Sequence, residues 1–317
     1  MSLISVIIPV FNGENTIKET IKSVLTQTCS DLEIIIINDG SQDSSLNIVS
    51  SLKDSRIKVF SYDNAGISTS RNRGFFHSSG EFISFLDADD LWTPDKLEAQ
   101  FKALQANPEA AVAYSWVNYI DESGQFFRVG NHQTLNGNVY EKLLVQNLLE
   151  NGSNPLIRRQ ALTEVGGFDP AFSSAADWDM WLRLAARYPF VVVPSPQILY
   201  RMSGSSMSSN ILKMEAECLQ LIEKAFNQAP ASLKFLEKNS LGALYNYLTF
   251  KVLEGSSKRQ NAILAARFFG QLVRNDPSVL RRPKPMLTAL FKIPVVLFLP
   301  PQQSHALINT AKKVLIN

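Results

Sequence analysis

Short apolar segments alternate with segments of helical periodicity at the start of the chain, and this alternation restricts the possible folds more than any other feature. The segments SVIIPV at 5–10 and LEIIII at 32–37 are continuous and rich in β-branched residues, which is typical of strands buried on both faces of a parallel sheet. Between them, four apolar residues recur at helical spacing: Ile17, Ile21, Val24 and Leu25. Asn12 and Asn15 are the expected capping residues, so the chain opens as β-α-β.

The same alternation continues with a strand at 57–60, a helix at 69–79 and a strand at 81–86. A β-α-β-α-β order predicts an α/β fold, namely a three-layer α/β/α sandwich with a mostly parallel central sheet and right-handed crossovers. Further elements are predicted less regularly: helices at 94–107, 139–150 and 177–187, and strands at 111–120, around 156, at 190–193 and at 198–200.

Beyond residue 210 only helical periodicity is present, and the expected helices are 211–228, 232–254, 258–274, 286–298 and 303–315. The net charge also divides unevenly. Residues 251–317 contain 11 basic and 2 acidic residues, whereas the whole chain carries a net charge of only +2. We therefore predict a domain at 1–210 and a basic, helical C-terminal region at 211–317, which face different partners.

Composition excludes several other classes of protein. Two cysteines, Cys29 and Cys218, are too few for a disulfide framework. The first ten residues lack the basic and long apolar segments of a signal peptide. The sequence thus predicts a cytoplasmic protein. A dinucleotide-dependent oxidoreductase is disfavoured, because the first β-α turn contains one glycine, Gly13, instead of G-x-G-x-x-G.

Acidic residues follow three of the predicted strands. Glu14 lies after the first strand, Asp39 after the second, and the cluster 87–90 after the fourth. In a parallel sheet these positions share one edge, where ligands bind. Mutual repulsion within the cluster predicts a compensating divalent ion, Mg²⁺ or Mn²⁺, bound by carboxylates and substrate phosphates. The alternative is an acidic loop that caps the helix beginning near Pro94.

Several motifs occur together in a defined order: SVIIPVFNGE, IIIINDGSQDSS, NAGISTSRNRG, FISFLDADDLW, GGFD at 166–169 and ADWDMWLRL at 176–184. This combination resembles the family 2 inverting glycosyltransferases, which have the GT-A fold and use nucleotide-sugar donors. The resemblance covers residues 3 to 205 approximately. It implies a GT-A-type sandwich in which about 1–115 bind the nucleotide-sugar and about 116–210 form the acceptor side, with the helical region as a C-terminal extension.

The resemblance also assigns roles at the donor side. Pro9, Phe11 and Glu14 would line the nucleoside pocket, and Asp39 would accept a hydrogen bond from the pyrimidine N–H. Three further residues complete the nucleotide-binding set: Arg71 near the base or diphosphate, Asp87 at the ribose, and Ala88 between the two aspartates. Asp89 would hold the metal ion that bridges the two phosphates.

Transfer with inversion needs a carboxylate that takes the proton of the acceptor hydroxyl. Asp177 matches the family's catalytic aspartate, and Asp179 is the competing carboxylate. The sequence departs from the family pattern at two places: Ala176 replaces an acidic residue, and Ser203 stands where many relatives have a histidine that contacts metal or phosphate. Trp178 is either a core residue or a stacking platform for an acceptor sugar.

The resulting prediction is a metal-dependent enzyme that transfers a sugar from a nucleoside-diphosphate donor, with UDP favoured, to a sugar, lipid-linked or polysaccharide acceptor in surface-polymer or glycolipid synthesis. The alternative is a catalytically impaired sugar-nucleotide-binding or scaffold protein. For the basic C-terminal region we weigh peripheral contact with the inner face of the cell membrane against packing on the catalytic unit or self-association into a homo-oligomer. No nucleic-acid-binding motif accompanies its charge.

Overall fold

The computed structural model describes residues 2–203, 210–254, 259–300, 302–304 and 307. The chain divides into two compact units, one made of Met1–Leu143 and Asn147–Ser209 and the other of Leu144–Gln146 and Asn210–Asn317.

The first unit is built on a nine-stranded sheet. Its strands are β1 Ile4–Val10, β2 Leu32–Asp39, β3 Ile57–Tyr62, β4 Phe82–Phe85, β5 Leu91–Trp92, β6 Val112–Ile120, β7 Phe126–Val129, β8 Leu156–Arg158 and β9 Phe190–Arg201. Their order in the sheet is β3-β2-β1-β4-β8-β6-β9-β5, with β7 paired to β6. The strands β1 to β4 pair in parallel. β8 is antiparallel to both β4 and β6, while β6 and β9 are parallel. The predicted α/β class with its mostly parallel central sheet is confirmed.

Helices cover the two faces of this sheet. Between β1 and β9 they are α1 Ile17–Leu25, α2 Ser45–Ser51, α3 Ile67–His77, α4 Lys96–Ala106, α5 Tyr140–Val145, α6 Arg159–Val165 and α7 Ala176–Ala185. Alternate residues of β1, such as Val6 and Ile8, belong to one core cluster with apolar residues of α1, α2 and α4. The intervening Ile7 faces α3, because the α carbon of Gly74 lies directly against its side chain. The period of two in the strand thus separates the layers.

Several short elements and one cap differ from expectation. α2, β5, β7 and α6 were not predicted, and the strands expected at 190–193 and 198–200 are parts of the single strand β9. The helix expected at 139–150 is confined to α5. The capping prediction for Asn12 and Asn15 is wrong, because α1 begins after Thr16. Asn12 has a φ of 53° and its side chain accepts a hydrogen bond from Gln42 N at 2.8 Å.

The second unit is helical. It contains α8 Ile211–Gln228, α9 Glu237–Glu254, α10 Arg259–Asn275 and α11 Pro283–Phe298, with 3-10 turns at Ala231–Leu236 and Pro277–Arg281. Most of the helix predicted at 303–315 lies outside the described residues. Within the described ranges, no helix combines the length and the apolar character needed to cross a bilayer.

The close approach of α3 to β1 requires a glycine. A Cβ on Gly74 would lie 2.2 Å from Ile7 Cγ2, a distance that forces the helix away from the sheet. We expect Gly74→Ala to lower the free energy of unfolding by about 1–3 kcal/mol through overpacking, measured by urea denaturation.

Gly270→Ala is the matched control for this prediction, because Gly270 lies within α10 and a Cβ there would meet no atom within 4 Å. That variant should be neutral or more stable by about 0.5–1 kcal/mol, since alanine favours helix. Equal destabilisation by both substitutions would contradict the packing explanation.

Candidate active site

The carboxyl ends of β1, β2 and β4 lie at one edge of the sheet. β1 pairs with β2 up to Val10↔Asn38 and with β4 up to Ile7↔Phe85, so the residues that follow these strands emerge together. This edge therefore brings Asp39, at the end of β2, to the same side of the sheet as Asp87 and Asp89, which follow β4.

Arg71 is a buried cation at this edge. It lies on α3, is 3% exposed, and its Nη2 is 2.6 Å from Asp87 Oδ1. The guanidinium also lies 5.1 Å from the ring centroid of Phe168. Gly152 leaves room for it, because a Cβ at that position would lie 2.2 Å from Arg71 Nη2. A permanent cation held this tightly offsets part of the repulsion among the acidic residues.

The acidic loop after β4 is fixed mainly through its backbone. The carbonyl of Ala88 accepts hydrogen bonds from the hydroxyls of Thr16 at 2.8 Å and Thr20 at 2.9 Å. The carbonyl of Asp89 accepts one from Arg201 Nε at 2.8 Å. These contacts hold the backbone of the loop in place.

The carboxylate of Asp90, the next residue, is hydrogen-bonded within the protein. Asp90 is fully buried, and its carboxylate accepts hydrogen bonds from Ser153 Oγ at 2.5 Å and from the backbone N–H of Arg201 at 3.0 Å. Burial, together with the charges of Asp89 and Asp87, raises its pKa well above the usual range. Asp90 thus anchors the loop to β9 and to the segment before β8.

The carboxylate oxygens at this edge suit a hard divalent ion that takes most of its ligands from a bound substrate. Burial and the neighbouring charge of Asp87 raise the pKa of Asp89 to about 6, so its carboxylate gains from a nearby cation. Asp87 is already paired with Arg71. Among the described residues, no group of three or more His, Cys, Asp or Glu side chains is arranged to hold a metal. One carboxylate with phosphate oxygens and waters is a common arrangement for Mg²⁺, and the residues present fit it.

Asp177 lies in the first turn of α7, within electrostatic range of Arg71 and Asp87. Its Oδ2 accepts a hydrogen bond from Asn147 Nδ2 at 3.0 Å, and its Oδ1 accepts one from Trp178 N at 2.8 Å. Burial raises its pKa to about 6, although the positive charge of Arg71 opposes the shift. A carboxylate with this pKa is suited to accept a proton near neutral pH.

Asp179, the competing carboxylate, and the neighbouring Trp178 make contacts that hold the fold together. Asp179 is 2% exposed and pairs with Arg183 at 2.8 Å one turn along the helix. Trp178 is buried and its indole N–H donates to the carbonyl of Leu143 at 2.7 Å. Of the two interpretations of Trp178, the structure supports the core residue. Ala176 is also fully buried.

The residues predicted to contact the nucleoside differ in their exposure. Pro9 is buried within β1, whereas Phe11 is 53% exposed. Glu14 is exposed and its Oε2 accepts a hydrogen bond from Ser44 N at 2.9 Å. They all lie at or next to the carboxyl end of β1.

Asp39 is more enclosed than its predicted role implies. It is 3% exposed, and its two oxygens accept hydrogen bonds from Ala65 N at 3.0 Å and Gly66 N at 2.9 Å. Arg73 Nη1 lies 3.3 Å from Oδ1. Asp39 therefore orders the turn that precedes α3, and its contact with a pyrimidine stays a prediction.

Five residues that contact the site were not identified from the sequence: Asn147, Gly152, Ser153, Thr16 and Arg201. Asn147 lies within the helix expected at 139–150, and Gly152 and Ser153 follow it. Arg201, at the end of β9, is 3% exposed, and its Nη2 also pairs with Glu19 at 2.9 Å. The Asn-Gly pair at 151–152 is the one local feature that indicates a turn there. Ser203 is partly buried, and residues 204–209 lie outside the described part of the chain.

Comparison with known proteins gives concordant matches. The sequence model described as glycosyltransferase-like family 2 matches residues 5–252. An uncharacterised glycosyltransferase of Rickettsia felis is 31% identical over 223 residues, which cover 68% of this chain and 37% of that protein. The Escherichia coli protein WfgD, a UDP-Glc:α-D-GlcNAc-diphosphoundecaprenol β-1,3-glucosyltransferase, is 32% identical over 222 residues, 67% of this chain and 81% of its own length. The chain thus spans much less than two thirds of the length of the Rickettsia felis relative.

Solved structures are similar in fold. The S. aureus protein TarS in complex with UDP-GlcNAc aligns with a TM-score of 0.58 at 15% identity, covering 89% of this chain and 92% of that one. A mannosyltransferase from Pyrobaculum calidifontis in complex with GDP-Man and Mn²⁺ aligns with a TM-score of 0.57 at 17% identity, covering 92% and 87%. At these identities the likeness concerns the fold, and it confirms the predicted GT-A-type architecture.

Proposed function

The chain belongs to glycosyltransferase-like family 2, and from that membership we propose that it transfers one sugar from a nucleoside-diphosphate donor to an acceptor hydroxyl with inversion at the anomeric carbon. The observation that carries the proposal is the placement of Asp177. This carboxylate is oriented by Asn147 and Trp178 and lies within electrostatic range of the Arg71–Asp87 ion pair. The proposed base is therefore close enough to the proposed donor site to interact with it electrostatically.

In the proposed reaction Asp177 accepts the proton of the acceptor hydroxyl while that oxygen attacks the anomeric carbon. The bond between this carbon and the diphosphate oxygen breaks, and the electron pair leaves with the nucleoside diphosphate. The hydrogen bonds from Asn147 Nδ2 and Trp178 N hold the carboxylate in one orientation. Burial keeps its pKa near 6, which makes it a stronger base than an exposed aspartate.

We propose a UDP-sugar as the donor. The Escherichia coli relative is described as using UDP-Glc, and TarS was solved with UDP-GlcNAc, whereas the Pyrobaculum protein was solved with GDP-Man. Pro9, Phe11, Glu14 and Asp39 would surround the nucleoside, and Asp39 would use oxygen lone pairs that the amides of 65 and 66 leave available.

The diphosphate would lie at the acidic loop, where Arg71, Asp87 and Ala88 contact the nucleotide. Asp89 would hold the divalent ion, as the Mn²⁺ complex of the Pyrobaculum protein suggests. When bound, Mg²⁺ or Mn²⁺ offsets the negative charge that develops on the leaving diphosphate. The chain itself contributes the fixed loop: Thr16, Thr20 and Arg201 hold its carbonyls, so Asp89 is preoriented.

We assign the catalytic domain to residues 1–210, with nucleotide-sugar binding in about 1–115 and the acceptor side in about 116–210. The acceptor is proposed to be a lipid-linked or polysaccharide sugar, because the Escherichia coli relative is described as acting on a diphosphoundecaprenol-linked sugar. The alternative, a sugar-nucleotide-binding protein without turnover, rests on Ser203 and Ala176, and the first experiment below separates the two.

Asp177→Asn should lower turnover of a UDP-sugar, by hydrolysis or transfer, about 10²–10⁴-fold while UDP affinity is unchanged, because only the base is lost.

The wild-type kcat/KM should rise with pH through about 6 and level off above it, since the deprotonated carboxylate is the active form and its pKa is about 6. Turnover is measured with Mn²⁺ or Mg²⁺ over a panel of UDP-, dTDP- and GDP-sugars preselected by thermal shift.

The matched control is Asp179→Asn, which removes a carboxylate from the same helix. It should lower the melting temperature, because Arg183 loses its buried partner, and it should retain kcat in the folded fraction. Wild-type protein that binds UDP and turns over no donor would favour the non-catalytic alternative. If Asp179→Asn abolishes turnover and Asp177→Asn does not, the base is wrongly assigned.

Asp89→Ala should weaken UDP binding about tenfold or more in the presence of Mn²⁺ and leave it unchanged in EDTA, because the proposed role of this carboxylate is to hold the ion. Isothermal titration calorimetry measures both affinities. Asp31→Ala is the control, since it removes the same charge just before β2, at the opposite end of that strand. Equal losses of affinity with and without Mn²⁺ would refute the role of Asp89.

A further inference from the structure

Helix α11 exposes a continuous apolar stripe. Its members are Leu287, Leu290, Phe291, Pro294 and Phe298, and all five are exposed to solvent. Their spacing of three, four, seven and eleven residues places them on one face of a helix. Phe298 is 76% exposed and Leu287 is 60% exposed, values typical of polar surface residues. We call these five residues the apolar stripe.

The apolar stripe is not the core-facing side of the helix. Ala289 and Val296 lie on the opposite face and are buried, at 0% and 8% exposure. Through that face α11 packs against α9 and α10 of the same unit. The helix is therefore held in place by one face while the other presents large apolar side chains to solvent, an arrangement that marks a surface for interaction.

The segment that contains the apolar stripe carries a strongly positive net charge. Residues 259–300 contain seven basic residues and a single acidic one, Asp276, which pairs with Arg282 at 2.7 Å. Arg274 and Arg281 are exposed. α11 itself contains no acidic residue. An exposed apolar helix face in a segment that also exposes arginines matches a surface that combines hydrocarbon with negative charge.

We propose that the apolar stripe docks on the surface of an anionic lipid bilayer, with α11 lying in the plane of the interface. The side chains of Leu287, Phe291 and Phe298 enter the acyl region, while Arg274 and Arg281 contact phosphate headgroups. This inference is independent of the proposed transfer reaction, because it rests only on the second unit.

Charge distinguishes this occupant from a second copy of the chain. A symmetric contact through the apolar stripe would bring two segments together that each carry a net charge of +6 over residues 259–300. Two positively charged segments in contact repel each other. An anionic bilayer instead attracts the arginines through its headgroups and takes up the apolar face in its acyl region. A bilayer-spanning arrangement does not suit α11, which has 16 residues where about 20 are needed.

Co-sedimentation of the full chain with vesicles tests the proposal. The protein should pellet with phosphatidylcholine–phosphatidylglycerol vesicles at low salt, remain in the supernatant with phosphatidylcholine alone, and be released by high salt. The double variant Phe291→Ser/Phe298→Ser should reduce the partition coefficient about tenfold or more, because two aromatic anchors are lost. Arg281→Glu should weaken binding mainly at low salt.

Phe235→Ser is the matched control. Phe235 is 68% exposed, but it lies in the 3-10 turn after α8 and outside the apolar stripe. That variant should bind vesicles like the wild type, and circular dichroism should show that all variants fold. The proposal is overturned if the wild type stays in the supernatant with anionic vesicles, or if the double variant binds as the wild type does. It is also overturned if light scattering shows a dimer that Phe298→Ser converts to a monomer, since the stripe would then be a contact between copies.

Discussion

The ion pair between Arg71 and Asp87 connects the elements of the candidate site. Arg71 reaches the acidic edge because Gly74, one turn further along α3, lets the helix approach β1, and because Gly152 leaves room for the guanidinium. Its charge stabilises Asp87 directly and also acts on Asp177. Without a buried cation, the carboxylate of Asp87 would repel those of Asp89 and Asp177 more strongly. The Arg71–Asp87 ion pair thus links the acidic loop after β4 to the carboxylate of Asp177.

Much of the fold and part of the site are accessible from sequence alone, for a physical reason. Parallel strands buried on both faces produce uninterrupted apolar segments, so β1 and β2 are unambiguous. Once those strands are known, the residues after them must share an edge. The positions of Asp39, Asp87 and Asp89 follow from that rule, and the structure brings these residues to the same edge. Their roles toward a nucleotide come from the family resemblance and not from the geometry.

The remaining parts depend on contacts between distant residues, which leave no local pattern. Asn147 is 30 residues from the aspartate that it orients, and Arg201 is 111 residues from the carboxylate that its backbone N–H contacts. Glu150 has a φ of 66°, so the expected helix at 139–150 cannot continue through it. Asp39 shows a second limit of sequence reasoning. The sequence predicts only a ligand contact for this residue, whereas in the structure its carboxylate accepts hydrogen bonds from two backbone amides and so orders the turn before α3.

We propose that Asp87, Asp89 and Arg71 receive a diphosphate on one side of the reacting carbon while Asp177 accepts a proton on the other. A crystal structure with a non-hydrolysable UDP-sugar and Mn²⁺ tests it most directly. We expect the ion bonded to Asp89 and to diphosphate oxygens at about 2.0–2.6 Å, with the Asp177 carboxylate facing the anomeric carbon opposite the leaving oxygen. A nucleotide bound away from this edge, or a base whose side chain faces away from the sugar, would contradict the account.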